Sequence, residues 1–142
     1  MDRVFLDANV LFSAAYRDDA GLRRLWELEQ TVLLTSRYAE EEARRNLETD
    51  AQRSALDRLV ARLELAAVPS DTVLPAEVTT LRGKDRPIVL AALNGRATHL
   101  VTGDVRDFGP YFGTRIAGVL VVTPGEYLRS RAARPSPSRR RR

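Results

Sequence analysis

Residues 4–14 read VFLDANVLFSA: a short, continuously apolar run, an aspartate at its end, and the start of a helical pattern near Asn9. A run that is apolar at successive rather than alternate positions suits a parallel strand buried on both faces. Similar runs recur at residues 32–35, 65–68, 100–102 and 119–122. Amphipathic stretches lie between them. In residues 20–30, Leu22, Leu25, Trp26 and Leu28 form an apolar stripe behind the capping candidates Asp18 and Asp19, which puts Trp26 in the core. Ser36 is placed to cap a helix through Tyr38, Ala39, Ala43 and Leu47, and residues 52–64 set Leu56, Leu59, Val60 and Leu63 at helical spacing. Asp85 followed by Pro87 opens a helix through Ile88, Val89, Ala92 and Leu93, ending near Asn94-Gly95. Strands alternating with helices imply an α/β domain: a mostly parallel central sheet flanked by helices.

Composition narrows the chemistry. The 142 residues are 44% hydrophobic and 30% charged, as in an ordinary globular chain. Without cysteine there are no disulfides, thiolate metal sites or cysteine nucleophiles. The single histidine, His99, sits at the edge of an apolar run and reads as structural, which argues against a histidine triad or a two-histidine ribonuclease. No apolar run approaches the roughly 18 residues of a membrane span. The amino terminus does not read as a secretory signal. A cytoplasmic chain with no membrane partner is expected. The net charge of +4 hides a division: residues 129–142, RSRAARPSPSRRRR, hold seven arginines and no acid, leaving 16 basic against 19 acidic residues in 1–128. The expectation is a folded domain over 1–128 and a disordered, Arg-rich tail over 129–142. The tail has too little apolar surface to repay its ordering, and its natural polyanionic partner is nucleic acid.

Whatever chemistry occurs must come mainly from carboxylates, and their placement is informative. Open parallel sheets bind ligands beyond the carboxyl ends of their strands, near a topological switch point. Asp7 follows the first strand and Asp104 follows the strand in HLVTGD, with Asp107 three residues on; each also suits a cap or turn. Asp85 suits an N-cap equally well. Of Glu40, Glu41 and Glu42, helical geometry turns Glu41 away from the apolar arc of Ala39, Ala43 and Leu47, and leaves Glu40 and Glu42 flanking it.

Four pieces in order, FLDANVLFSA, EEARRNL, KDRPIVLAALNGRATHLVTGD and the following DF, resemble the PIN-domain ribonuclease family, in its bacterial toxin-like branch. The resemblance covers about residues 3–128. It implies a PIN-like three-layer fold and a catalytic, metal-binding set of Asp7, Glu42, Asp85 and Asp104. Glu42 is chosen over Glu40 because Ala43-Arg44-Arg45-Asn46-Leu47 follows it as the family motif requires. Asp107 falls one residue later than the family's usual next acid, and is read as a supporting ligand or a turn residue. Asn9 and Thr102 are expected to hold carboxylates by hydrogen bonds.

Such a set, all oxygen and without imidazole or thiolate, suits Mg²⁺ or Mn²⁺. The implied activity is metal-dependent endoribonuclease hydrolysis leaving 5′-phosphate and 3′-hydroxyl ends. The implied partners are an RNA substrate and a cognate antitoxin protein, and the resemblance favours a homodimer. Arg44, Arg45, Arg82, Lys84, Arg86 and Arg106 lie near the motifs as candidates for binding the RNA backbone. The competing reading is a catalytically silent PIN-like RNA-binding module, which retention of all four main acids opposes. Tyr111 and Phe112 are read as packing over the sheet edge rather than stacking on a base.

Overall fold

Val4, Phe5 and Leu6 are all fully buried, so both faces of the first strand are covered and the core lies on either side of it. The structure is a computed structural model that describes residues 1–18, 21–68 and 75–134. Its strands are β1 (Asp2–Leu6), β2 (Thr31–Thr35), β3 (Glu64–Leu65), β4 (His99–Val101), β5 (Arg115–Ile116) and β6 (Val119–Val122). They form one sheet in the order β3-β2-β1-β4-β6-β5. The pairings are parallel except β5 with β6. The chain fills β1, β2 and β3 outward in one direction, then returns to place β4 on the other side of β1, with Phe5 opposite both Leu34 and Leu100. The switch point therefore lies between β1 and β4.

The helices are α1 (Ala8–Tyr16), α2 (Arg37–Asn46), α3 (Asp50–Val60), α4 (Ala76–Thr79), α5 (Arg86–Asn94), α6 (Val105–Phe108) and α7 (Pro124–Ala133). This is an α/β fold, a mostly parallel sheet with seven α-helices among the described residues. Ser36 caps α2 through the Ala39 amide, as expected. Thr49 caps α3 in a reciprocal box with Gln52, which starts that helix two residues earlier than its apolar spacing suggests. Among the described residues, no helix is long and apolar enough to cross a membrane.

Several expectations need correction. Residues 21–27 form a 3-10 helix rather than an α-helix, though Trp26 is buried as its stripe implies, donating its indole N–H to the Leu59 carbonyl. Asp19 lies outside the described residues. The third strand is only Glu64–Leu65, since the backbone leaves the ladder after Ala66 bonds to Thr35. An additional strand, β5, pairs antiparallel with β6 across a two-residue turn at Ala117 and Gly118. Both have positive φ (48° and 91°), which lets the turn match the twist of the strands.

The boundary of the tail is also displaced. Residues 129–133 are the second half of α7, and the Arg131 guanidinium donates to Thr31 Oγ1 and to the Glu29 carbonyl. Tyr127 Oη donates to Asp2 Oδ2 at 2.7 Å, and Arg134 pairs with the same oxygen at 2.9 Å. Hydrogen-bonding side chains, not apolar ones, anchor this end of the helix, which is why hydropathy does not reveal it. Residues 135–142 lie outside the described residues. They consist of Pro, Ser and Arg alone.

Removing residues 135–142 is expected to leave the melting temperature unchanged. Removing 129–142 strips both arginines from the half-buried Asp2 carboxylate, and should cost on the order of 2 kcal/mol in a denaturant titration.

Candidate active site

β1 ends by delivering Asp7 to the switch point as the N-cap of α1, with 5% of its surface exposed. Its Oδ1 accepts from the Ala8 amide at 2.6 Å, while Oδ2 accepts from the Thr102 hydroxyl at 2.9 Å and from Asn9 Nδ2 at 3.3 Å. Asn9 completes the bracket by donating to Thr102 Oγ1 and accepting from the Gly103 amide. A Cβ at position 103 would stand 3.3 Å from Asn9 Oδ1, so glycine lets the strand end come this close. Thr102 Oγ1 also accepts from the Asp104 amide. Asn9 and Thr102 thus hold Asp7, and through Thr102 they tie the end of β1 to the turn carrying Asp104.

Asp85 arrives from the start of α5. Helix capping does not account for it: its side chain makes no capping bond, it is 5% exposed, and its Oδ2 has no hydrogen-bond partner among the described residues. Pro87 already occupies the first turn, where a missing N–H costs least. An unpaired, desolvated carboxylate oxygen needs a cation or a proton.

Asp104 caps the short α6 through the Asp107 amide. Ligand atoms of Asp85, Asp104 and Asp107 lie within 4.8 Å of one another. Asp107 stands 3.0 Å from Lys84 Nζ and 3.5 Å from Arg82 Nη1.

α2 decides between the glutamates. Glu42 lines a cavity of about 260 Å³ together with Asp7, Asp85 and Asp104. Glu40 instead pairs with Arg44, which also reaches Asp57, and Glu41 is exposed. Asn9, Phe12, Asn46 and Lys84 complete most of the cavity wall. Neither Phe12 nor Asn46 stands out in the sequence. Asn46 follows Glu42 by four residues, one helical turn, and that spacing alone is enough to place it on the same face.

The candidate RNA contacts divide similarly. The Arg44 guanidinium is committed to Glu40 and Asp57, and Arg86 donates to the carbonyls of Leu81 and Thr79. Arg45 and Arg106 are exposed. Tyr111 donates or accepts at Thr80 Oγ1 and packs, with Phe112, against the core. His99 lies edge-on to Tyr127 at the opposite end of β4.

The electrostatics follow from these positions. Burial pushes the Asp7 carboxyl up to about 6; hydrogen bonds from Thr102 and Ala8 oppose the rise, and the charges of Glu42 and Asp104 add to it. Burial likewise raises Asp85 to about 6, helped by Asp107 and Asp104 and opposed by Lys84. Burial and the charges of Glu42 and Asp85 raise the Tyr38 hydroxyl at the rim. Asp107 behaves oppositely: its hydrogen bond with Lys84 holds it below the ordinary carboxylate range.

Asp7, Glu42, Asp85 and Asp104 thus surround one cavity at the switch point of a sheet ordered β3-β2-β1-β4-β6-β5. The PIN domain family model matches residues 3–106, and the chain belongs to that family. Among solved structures, the fold is similar to a chain of the VapBC2 complex of Rickettsia felis, whose crystal structure contains a DNA fragment from its promoter. That match has a TM-score of 0.59 and 18% identity, and covers 85% of this chain and 98% of the other. No curated protein matches the sequence.

Both raised carboxyls bind protons in the folded state that the unfolded chain has already released. Stability of the metal-free protein should therefore fall as pH rises from about 4 to about 6, each group costing on the order of 2 kcal/mol once ionised. Asp7→Asn is expected to melt higher than the wild type near pH 7.5 in EDTA, and to lose that advantage near pH 4, where acidification of the other carboxylates affects both proteins alike. Equal melting curves at both pH values would remove the account of Asp7 as a carboxyl raised by burial and neighbouring charge.

Proposed function

We propose that this PIN domain is a metal-dependent endoribonuclease that hydrolyses RNA phosphodiester bonds, and that it is the toxin of a toxin–antitoxin pair acting in the cytoplasm. One observation carries the catalytic reading. Asp7, Glu42, Asp85 and Asp104 come from four separate elements to one cavity, and Asp85 Oδ2 there is buried without a partner among the described residues. That oxygen calls for a cation or a proton, and the three other carboxylates around the cavity favour a cation.

The donor set fits Mg²⁺ or Mn²⁺. Every candidate ligand is a carboxylate oxygen, and the nearest nitrogen donors are the Asn9 and Asn46 amides and the Lys84 ammonium, none of which competes as a ligand. Asp7, Glu42, Asp85 and Asp104 would hold the ion. When bound it supplies an oriented, more acidic water and neutralises charge on the phosphate.

The protein's own contribution is to keep the carboxylates ionised and aimed. Asn9 and Thr102 fix both the orientation and the acceptor state of Asp7. Exposed Arg45 and Arg106 are free to meet the RNA backbone, whereas Arg44 and Arg86 serve the fold. The family resemblance, together with the likeness to a VapBC2 chain, supports a separate antitoxin protein as partner and a homodimer as assembly. The arginines of residues 139–142 extend the RNA-binding charge.

Purified protein should cleave single-stranded RNA with Mg²⁺ or Mn²⁺ and stop on addition of EDTA. Asp7→Asn, Asp85→Asn and Asp104→Asn should each lower the rate by about 100-fold or more without unfolding. Glu42→Gln should cost far more than Glu40→Gln; the reverse order would assign the wrong glutamate. RNA that is bound but never cut under any metal would leave a silent binding module instead. Deleting residues 135–142 should spare the chemistry but reduce the salt dependence of RNA affinity, by about 0.7 in log–log slope for each phosphate the tail neutralises.

A further inference from the structure

Lys84 is the only lysine in the chain, and it stands inside the acidic centre rather than beside it. Its side chain lines the cavity and is 52% exposed, whereas the Asp107 carboxylate that holds it is 4% exposed and is not part of the cavity wall. Each Asp107 oxygen faces a cation. Oδ2 lies 3.0 Å from the Lys84 ammonium, and Oδ1 faces the Arg82 guanidinium at 3.5 Å. Asp85 differs in that its buried Oδ2 has no cation paired with it among the described residues, whereas Asp107 Oδ2 has the Lys84 ammonium beside it. The neighbouring backbone is fixed as well, because Tyr38 Oη donates to the Lys84 carbonyl at 3.2 Å.

We propose that Asp107 is a positioning residue rather than a metal ligand, and that the Lys84 ammonium it pins beside Asp85 grips a phosphate of the RNA strand at the centre. A buried anion that fixes an exposed cation at a cavity mouth presents a point charge with three N–H donors, two of them available once Asp107 has taken one. A phosphate entering beside Asp85 and Asp104 meets four carboxylates that repel it, and Lys84 is the one cation among the cavity-lining residues. Arg82 pairs with the other oxygen of Asp107. The short spacing of Asp85, Asp104 and Asp107 therefore reflects a salt-bridged support, with the ion-binding face formed by Asp7, Glu42, Asp85 and Asp104.

The inference rests on the nuclease reading, and the experiment separates the two. Affinity for Mn²⁺ alone, affinity for a short unstructured RNA in EDTA, and cleavage kinetics are measured on the full chain for wild type, Lys84→Ala, Lys84→Arg, Asp107→Asn, Lys84→Ala/Asp107→Asn and Asp104→Asn. Lys84→Ala should weaken RNA binding about tenfold and lower its log–log salt slope by about 0.7, while binding Mn²⁺ at least as tightly as wild type. Lys84→Arg should restore most of the RNA affinity. Asp107→Asn should lower kcat with KM unchanged or lower, change Mn²⁺ affinity less than about threefold, and add nothing to the loss in the Lys84→Ala background. Asp104→Asn should lose about tenfold or more in Mn²⁺ affinity. RNA should also protect Lys84 from amine acylation read by mass spectrometry. The proposal is overturned if Asp107→Asn loses Mn²⁺ affinity as Asp104→Asn does, or if Lys84→Ala binds RNA with an unchanged salt slope. A wild type that binds Mn²⁺ and cuts RNA while these variants behave alike refutes this proposal alone. A wild type that does neither refutes the nuclease reading and this proposal with it.

Discussion

The Thr102 hydroxyl and the Asn9 amide both donate to Asp7 Oδ2, while the Ala8 amide donates to Oδ1. These bonds allow a carboxylate to sit at the end of a fully buried strand. Without them, desolvation would favour the protonated form of Asp7 still more and the cavity would lose that negative charge. They also fix the relation of β1 to β4, because Thr102 follows β4 directly and its hydroxyl accepts the Asp104 amide. The switch point of the sheet is thus a hydrogen-bonded joint as well as a topological one. The register of Phe5 against Leu100, a hydrophobic pairing two steps back from the joint, sets the height at which Asp7 stands beside Thr102.

Much of this is legible in the chain because each piece carries a local signal. VFL before Asp7 and HLV before Thr102 are continuous apolar runs, which only a strand covered on both faces tolerates. Ser36 and Pro87 mark helix starts by chemistry specific to a first turn. Periodicity excludes Glu41 but does not separate Glu40 from Glu42, since both flank the apolar arc. The difference lies in what faces them: Glu40 meets Arg44 on its own helix, whereas Glu42 meets the cavity. That information is tertiary.

What the sequence hides is local structure whose signal is weak or shared. The Ala117-Gly118 turn has a glycine but sits within the apolar sequence RIAGVLVV, where a hairpin and a single strand look alike. The 3-10 helix at residues 21–27 satisfies the same apolar stripe as an α-helix would. The polar composition of residues 129–134 suggests a tail, yet Arg131 and Arg134 are ordered by Thr31, Glu29 and Asp2, contributed from near the other terminus. The Asp107–Lys84 pair is hidden for the same reason: two residues far apart in the chain have roles that depend on each other.

The sheet ends in β3 on one side and β5 on the other, each only two residues long. Glu64 projects a carboxylate from the first border and Arg115 a guanidinium from the second, both exposed. Such borders offer a passing strand too few free amides and carbonyls to pair with, and they carry charge where pairing would have to begin. The apolar strands between them, including VLVV, are thereby shielded from edge-to-edge pairing. Self-association of the folded chain is left to its helical surfaces, where the orientation of copies is set by side chains and can stop at a finite number.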